Sequence, residues 1–235
     1  MVYALKAIRT SALVIASIIV TAGSALAAPV NVNSNSNSDA SVTTDTSVTG
    51  SQQSYNGSLV DTGTQAQNNA VVGINQNTTG SGYNYNSNQN ATVKGRLNTK
   101  KTSTYYSNNG SAIRSTTFVT KNSNSQINQK NASATNVNSS QNAGIDFGTD
   151  VNISGNNYAN NGSSITRGID VNSTNNTTIN QNSTNPYNYG ANQNAKVTTK
   201  NTFNISGNNT ATNGGVINSQ TVSSSNSNIV INKSR

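Results

Sequence analysis

The chain of 235 residues contains no cysteine and no histidine, and it also lacks tryptophan and glutamate. Without cysteine there are no disulfides and no thiolate metal sites. Without histidine, the commonest general base and metal ligand is missing. Only three Phe stand beside 46 Asn, so an ordinary apolar core is not expected. We therefore expect no catalytic residue, no cofactor and no bound metal.

Charge is also scarce, because charged residues make up 9% of the chain. Disordered chains are usually polar and strongly charged, whereas Asn- and Gln-rich chains with few charges are typical of stacked β-assemblies. Apart from Lys6 and Arg9, 12 basic residues stand against six Asp, a net charge of +6. The densest basic stretches are Lys94–Arg96 and Lys100-Lys101, so nucleic acid is not an expected partner.

The N-terminus has the pattern of a secretory signal peptide. Lys6 and Arg9 precede an apolar run over residues 11–22, and small residues then lead to Ala27. We predict a signal peptide over residues 1–27 and a repeat domain over residues 28–235. The alternative is a membrane anchor, but the run is shorter than the roughly 20 apolar residues that a transmembrane helix needs. The sequence therefore predicts no transmembrane segment.

The remainder repeats itself four times with a period of about 52 residues, which is typical of stacked units. An Asn-Gly pair recurs with its glycine at Gly57, Gly110, Gly162 and Gly214. An Ile-Asn pair follows 17 residues after each glycine, at Ile74-Asn75, Ile127-Asn128, Ile179-Asn180 and Ile231-Asn232. A Gln-Asn-Ala triplet begins at Gln89, Gln141 and Gln193. These landmarks define units at about 34–77, 88–130, 140–182 and 192–233.

Apolar residues within a unit alternate with a period of two, as Ile165, Ile169 and Val171 do. This pattern indicates strands with one buried face, and Asn-Gly suits tight turns with positive φ. We predict an all-β fold, a β-solenoid built from four ~52-residue repeats. Each unit offers about four short strands, which would make two coils. A propeller blade and a sandwich of duplicated hairpins are the alternatives, although the aromatic and glycine motifs of propellers are missing.

Equivalent positions stack if each unit is a whole number of coils, and stacked amides hydrogen-bond along the stack. The predicted amide columns are Asn75, Asn128, Asn180 and Asn232; Gln76, Gln129 and Gln181, which ends at Lys233; and Gln89, Gln141 and Gln193. The predicted apolar column is Ile74, Ile127, Ile179 and Ile231. Gly57, Gly110, Gly162 and Gly214 are predicted to form the turns.

Two further sets of residues are candidates for function. Paired carboxylates act in glycoside hydrolysis, and Asp146, Asp150 and Asp170 lie in one unit. We interpret them as turn and solubility residues, because the other units lack them. Tyrosines can offer aromatic faces to a ligand or cover the ends of strands. The candidates are Tyr83, Tyr85, Tyr105, Tyr106, Tyr187 and Tyr189.

The segments Asn88–Val93 and Asn192–Val197, with the shorter Gln141–Ile145, are similar to the Asn-x-Ala-x-Val pattern of curlin repeats. In composition and repeat character the chain resembles a curli-like bacterial functional amyloid, although its period is longer than that of curlin. The resemblance implies a secreted β-solenoid whose copies add end to end into biofilm fibres.

We therefore expect a secreted structural protein, located extracellularly or at the cell surface, that self-associates into fibres with a nucleator or secretion partner. The alternative is a monomeric cell-surface adhesin or stalk that binds a surface glycan or protein. An exported enzyme acting on glycans is a third interpretation.

Overall fold

The fold comes from a computed structural model that describes residues 7–27, 30–32, 35–79, 83–86, 88–132, 135–185 and 187–234. Those residues form fourteen β-strands and no helix, which confirms the all-β prediction. The strands are β1 Ala7–Ala27, β2 Val30–Val32, β3 Asn35–Tyr55, β4 Leu59–Thr79, β5 Tyr83–Tyr85, β6 Asn88–Asn108, β7 Ala112–Ala132, β8 Thr135–Val137, β9 Ser140–Ala159, β10 Ser164–Ser183, β11 Tyr187–Tyr189, β12 Asn192–Ser206, β13 Asn209–Ala211 and β14 Val216–Ser234.

The long strands form two parallel sheets, and three-residue strands form a third. Sheet A has the order β1-β4-β7-β10-β14, sheet B has β11-β8-β5-β2 and sheet C has β12-β9-β6-β3, with β13 also beside β9. The chain passes from sheet B to sheet C to sheet A and then repeats, so each turn lies against the previous one as in a β-solenoid. We number the coils by residue: coil 1 is 30–79, coil 2 is 83–132, coil 3 is 135–183 and coil 4 is 187–234.

Each sequence unit makes one coil with two long strands, so the prediction of four short strands in two coils was wrong. Inward and outward positions alternate without a break along the whole of β7, from Ala112 to Ala132. Polar residues such as Ser123 and Ser125 occupy inward positions and are buried. In the sequence, these polar residues interrupt the alternation of apolar residues, so the apolar residues suggested separate short strands. In the structure, the polar residues occupy the same buried face of one long strand.

Residues 7–27, the described part of the predicted signal peptide 1–27, form β1 at the N-terminal end of sheet A. The strand pairs in parallel with β4, from Ala7 opposite Leu59 to Ala27 opposite Thr79. Cleavage after Ala27 stays a prediction, and residues 1–6, 28 and 29 lie outside the described residues. β1 gives sheet A a strand before coil 1, whereas sheets B and C begin with the strands of coil 1.

The Asn-Gly pairs join each strand of sheet C to the following strand of sheet A. Both residues have positive φ, for example 56° at Asn109 and 68° at Gly110. This is the type I′ geometry that Asn-Gly favours. The turns stack on one another, because the N–H of Gly110 donates to the carbonyl of Asn161 at 3.0 Å. The same geometry occurs at all four predicted turn glycines, Gly57, Gly110, Gly162 and Gly214.

The interior between sheets A and C contains three apolar clusters with polar rows between them. Ile74, Ile127 and Ile179 are fully buried in the cluster near sheet B, and they continue one another from coil to coil. Oγ of Ser123 and of Ser125 have no hydrogen-bond partner, but other groups in the polar rows are hydrogen-bonded, as buried polar groups generally are. The hydroxyls of Thr149 and Ser173, for instance, lie 3.0 Å apart across the interior. A half-polar interior is therefore compatible with tight packing.

Three cationic side chains, those of Lys101, Lys121 and Arg167, also point inward and are buried. The Lys121 ammonium donates to the carbonyl of Gly148 at 2.9 Å and lies 4.9 Å from the centre of the Phe147 ring. The pKa of Lys121 is lowered from 10.5 to about 8, mainly by burial and also by the nearby Arg96, whereas Asp146 opposes the shift. Charging Lys121 in the folded state therefore costs stability.

Replacing Lys121 with Met should stabilise the protein at pH 7 and reduce its dependence on pH. Because the folded pKa lies below the unfolded one, the unfolded chain binds more protons between about pH 8 and 10.5, and stability rises with pH in that window. The charged group costs about 1–3 kcal/mol at pH 7. We expect Lys121→Met to raise Tm at pH 7 and to flatten the rise between pH 8 and 10, measured by calorimetry.

The matched control is Lys130→Met, which removes an exposed lysine from the outer face of the same strand. That variant should keep the pH slope of the parent protein. A wild-type slope in Lys121→Met would contradict the argument.

Candidate functional site

Two columns of buried glutamine close the interior at the end nearest sheet B. In the column from sheet A, the two N–H groups of the Gln129 amide are shared among Oε1 of Gln76, at 2.8 Å, and the backbone carbonyls of Gln89 and Asn142, each at 2.9 Å. Gln181 donates to Oε1 of Gln129 at 2.9 Å in the same way. One side chain thus ties its own column together and also ties sheet A to two strands of sheet C.

The glutamine column of sheet C is also hydrogen-bonded along itself, and it donates across the interior to sheet A. Gln141 donates to Oε1 of Gln89 and Gln193 donates to Oε1 of Gln141, both at 2.9 Å. Gln141 also reaches the backbone carbonyl of Asn182 in sheet A at 3.3 Å. The predicted glutamine columns therefore lie side by side and cross-link the two long sheets in both directions.

The asparagine column lies on the outer face of sheet A. Asn128 donates to Asn75 at 2.7 Å, Asn180 to Asn128 at 2.8 Å and Asn232 to Asn180 at 2.9 Å. Every amide donates toward the preceding coil. The column therefore has a direction, with a donor at its N-terminal end and an acceptor at its C-terminal end.

Sequence reasoning missed a second outward column, on sheet C. Asn90 donates to Asn37 at 2.8 Å, Asn142 to Asn90 at 2.8 Å and Asn194 to Asn142 at 2.9 Å. The signal was present, because this asparagine is the middle residue of the Gln-Asn-Ala landmark. It also donates toward the preceding coil, so both outer faces have the same polarity.

The sheet A glutamine column ends at Lys233, as the sequence indicated. The Lys233 ammonium donates to the carbonyl of Gln193 at 2.8 Å and not to the glutamine column. Oε1 of Gln181 is buried and has no hydrogen-bond partner. A lysine thus satisfies one carbonyl of the last coil and leaves another acceptor of the stack unused.

The C-terminal end of the solenoid is open. Within the described residues, β12 pairs only with β9, and β14 pairs only with β10. Ile231 occupies the fourth place of the isoleucine column, yet it is 42% exposed because no fifth coil covers it. Ile229, another inward position of β14, is also exposed. This end therefore presents unpaired backbone together with uncovered apolar side chains.

The aspartates do not share a site. Asp146 and Asp150 lie on the outer face of sheet C, whereas Asp170 lies on the outer face of sheet A. Asp146 pairs with Arg96 at 3.3 Å, both half-exposed, so the pair contributes little to stability. Among the described residues no three acidic groups come together as metal ligands. That the chain is not an enzyme stays a prediction.

The tyrosines fall into two groups. Tyr83, Tyr85, Tyr187 and Tyr189 are exposed on the short strands of sheet B. Tyr105 points into the interior and its hydroxyl lies 2.6 Å from that of Ser115, so it neither offers its ring to a ligand nor covers the end of a strand. The alternation of β6 places Tyr106 outside, where its ring centre lies 5.6 Å from that of Tyr55.

Comparison of the chain with protein-family models, with curated proteins and with solved structures gives no match. Among the described residues there is no helix long and apolar enough to cross a membrane. The geometry of the columns and of the open ends is therefore the basis for any functional assignment.

Replacing Gln129 with Leu should destabilise the fold far more than replacing its neighbour Asn128 with Leu. The Gln129 variant leaves two carbonyls of sheet C and Oε1 of Gln76 without their donor, which should cost about 2–4 kcal/mol. The Asn128 variant removes three hydrogen bonds on the outer face, with Asn75, Gln126 and Asn180, where water can replace the lost partner, at a cost of about 1 kcal/mol or less. Urea denaturation of both variants measures the difference, and equal losses would contradict the assigned roles.

Proposed function

We propose that the protein is a secreted structural subunit that assembles into extracellular fibres by adding β-strands at the open ends of the solenoid. The observation that carries the proposal is the unfinished C-terminal end, where β12 and β14 each lack a neighbour on one side. Unpaired strand edges are templates for pairing with another chain. A second copy would cover the exposed Ile231 and supply the missing backbone partners.

Leader removal fits this proposal. With β1, sheet A has a strand before coil 1 that sheets B and C lack. Without β1, every sheet runs from coil 1 to coil 4: from β4 to β14, from β2 to β11 and from β3 to β12, with the short β13 also beside β9. All three sheets would then begin with a strand of coil 1 and end with a strand of coil 4. The edge of β4 that pairs with β1 would become free when cleavage after Ala27 occurs. Export would thus be coupled to competence for assembly.

The expected product is a fibre in which strands run across the long axis. Electron microscopy of the purified protein at micromolar concentration should show unbranched fibrils. Their diffraction should contain a reflection near about 4.7 Å along the axis, and four coils should give a subunit rise of about 19 Å. A protein that stays monomeric and β-rich under these conditions would refute assembly.

A pair of adjacent substitutions separates end-to-end growth from association through the outer surface. Ile231 is 42% exposed at an inward position, whereas Val230 is 40% exposed on the outer face of the same strand. Ile231→Lys should abolish fibre formation, because it places a charge in the column that the next copy would continue. Val230→Lys should leave fibre formation close to that of the parent. Equal effects of the two variants would contradict growth through this end.

The second candidate function is adhesion, and the exposed tyrosines favour it. Tyr187 and Tyr189 are 59% and 62% exposed, and Tyr83 and Tyr85 lie on the same narrow side two coils away. Amphipathic aromatic side chains are common in binding surfaces. Replacing all four with Ser should reduce attachment to cell-surface glycans or proteins several-fold in a plate assay if the chain is an adhesin. Under the fibre proposal, fibre formation by this variant should persist.

A further inference from the structure

Charged side chains on the outside of the solenoid are sorted by sign from coil to coil. Among the described residues of coils 1–4, outward positions in coils 1 and 3 carry only acids, and those in coils 2 and 4 carry only bases. The acids are Asp39, Asp45 and Asp61 in coil 1 and Asp146, Asp150 and Asp170 in coil 3. The bases are Lys94, Arg96, Lys100, Arg114 and Lys130 in coil 2 and Lys196 and Lys200 in coil 4.

This order places opposite charges beside each other inside the molecule. Lys94 of β6 lies directly opposite Asp146 of β9 in the parallel register. Arg96, two residues further along β6, contacts the same carboxylate at 3.3 Å. Opposite charges on facing positions of neighbouring strands are favourable, and like charges are not. The alternation therefore favours the observed order of the coils.

The same order leaves the two ends of the solenoid with opposite sign. Coil 1 ends sheet C with the acidic strand β3, and coil 4 ends it with the basic strand β12. We infer that copies of this chain join head to tail, with β12 of one copy pairing in parallel with β3 of the next, and that charge selects this polarity. The inference rests on the proposed function, since it specifies how the fibre subunits meet.

The column positions give the register of the joint. Ser36, Gln89, Gln141 and Gln193 share one column of sheet C, and the next outward column contains Asn37, Asn90, Asn142 and Asn194. Extending this register to a second copy places Asn37 of the next copy where it can donate to Asn194. It also places Asp39 of the next copy directly opposite Lys196. Asp45 of that copy then lies two residues from the position facing Lys200.

Other ways of joining two copies bring like charges together. A joint between two coil 1 ends brings Asp39 and Asp45 of one copy near the same two aspartates of the other copy. A joint between two coil 4 ends likewise brings Lys196 and Lys200 of the two copies together. β1 occupies the edge of β4 that β14 of the preceding copy would take, so the head-to-tail joint forms between chains that have lost β1.

Charge reversal at the joint tests the inference. Asp39→Lys gives a chain that is basic at both facing positions, and Lys196→Asp gives one that is acidic at both. Each variant alone should need a roughly tenfold higher concentration to form fibres than the parent, because a favourable pair becomes a repulsive one. An equimolar mixture should assemble at close to the parent concentration, since every joint between unlike variants restores an opposite pair. The difference should shrink at about 1 M salt.

Asp150→Lys is the matched control. It lies on the same outer face, in coil 3, and changes the net charge by the same amount as Asp39→Lys without touching the joint. We expect it to assemble close to the parent concentration once circular dichroism shows that it is folded.

Parent-like assembly of either reversal variant alone, or no recovery in the mixture, would overturn the head-to-tail inference while leaving fibre formation intact. Failure of the parent protein itself to form fibres would overturn the proposed function, and this inference with it.

Discussion

The structure depends on stacking the same position of every coil on itself. Its interior is half polar, and an unsatisfied amide there would cost more than its burial gains. A glutamine placed on a glutamine of the next coil can donate and accept at once, as Gln129 does between Gln76 and Gln181. This requirement explains why the period is so regular while the intervening sequence varies.

A fold whose coils satisfy one another is incomplete at its ends. In the body of the stack Ile127 and Ile179 are fully buried, whereas the equivalent Ile231 is exposed because the stack stops there. The same interaction that stabilises the interior thus leaves an uncovered surface at the last coil. Fibre growth and folding would then be one process, continued between chains instead of within one.

Much of this could be predicted from the sequence, because the period, the alternation and the Asn-Gly turns are local signals. The length of the strands could not, since Ser123 and Ser125 continue a buried face without being apolar. The positions of Tyr105 and Lys121 were missed for a related reason. Both are residue types that usually reach solvent, and only their parity in β6 and β7 places them inside.

The sequence by itself determined the strand character, the turns and the residues that share a column, because these follow from spacing along the chain. Only the tertiary structure decided which neighbours each column acquires. Whether a unit closes as one coil or two depends on how two sheets pack across a shared interior. That closure sets Lys94 beside Asp146, gives each coil a single sign of outward charge, and leaves Asp39 and Lys196 at opposite ends. Charges some 50 residues apart become neighbours only when the coil closes.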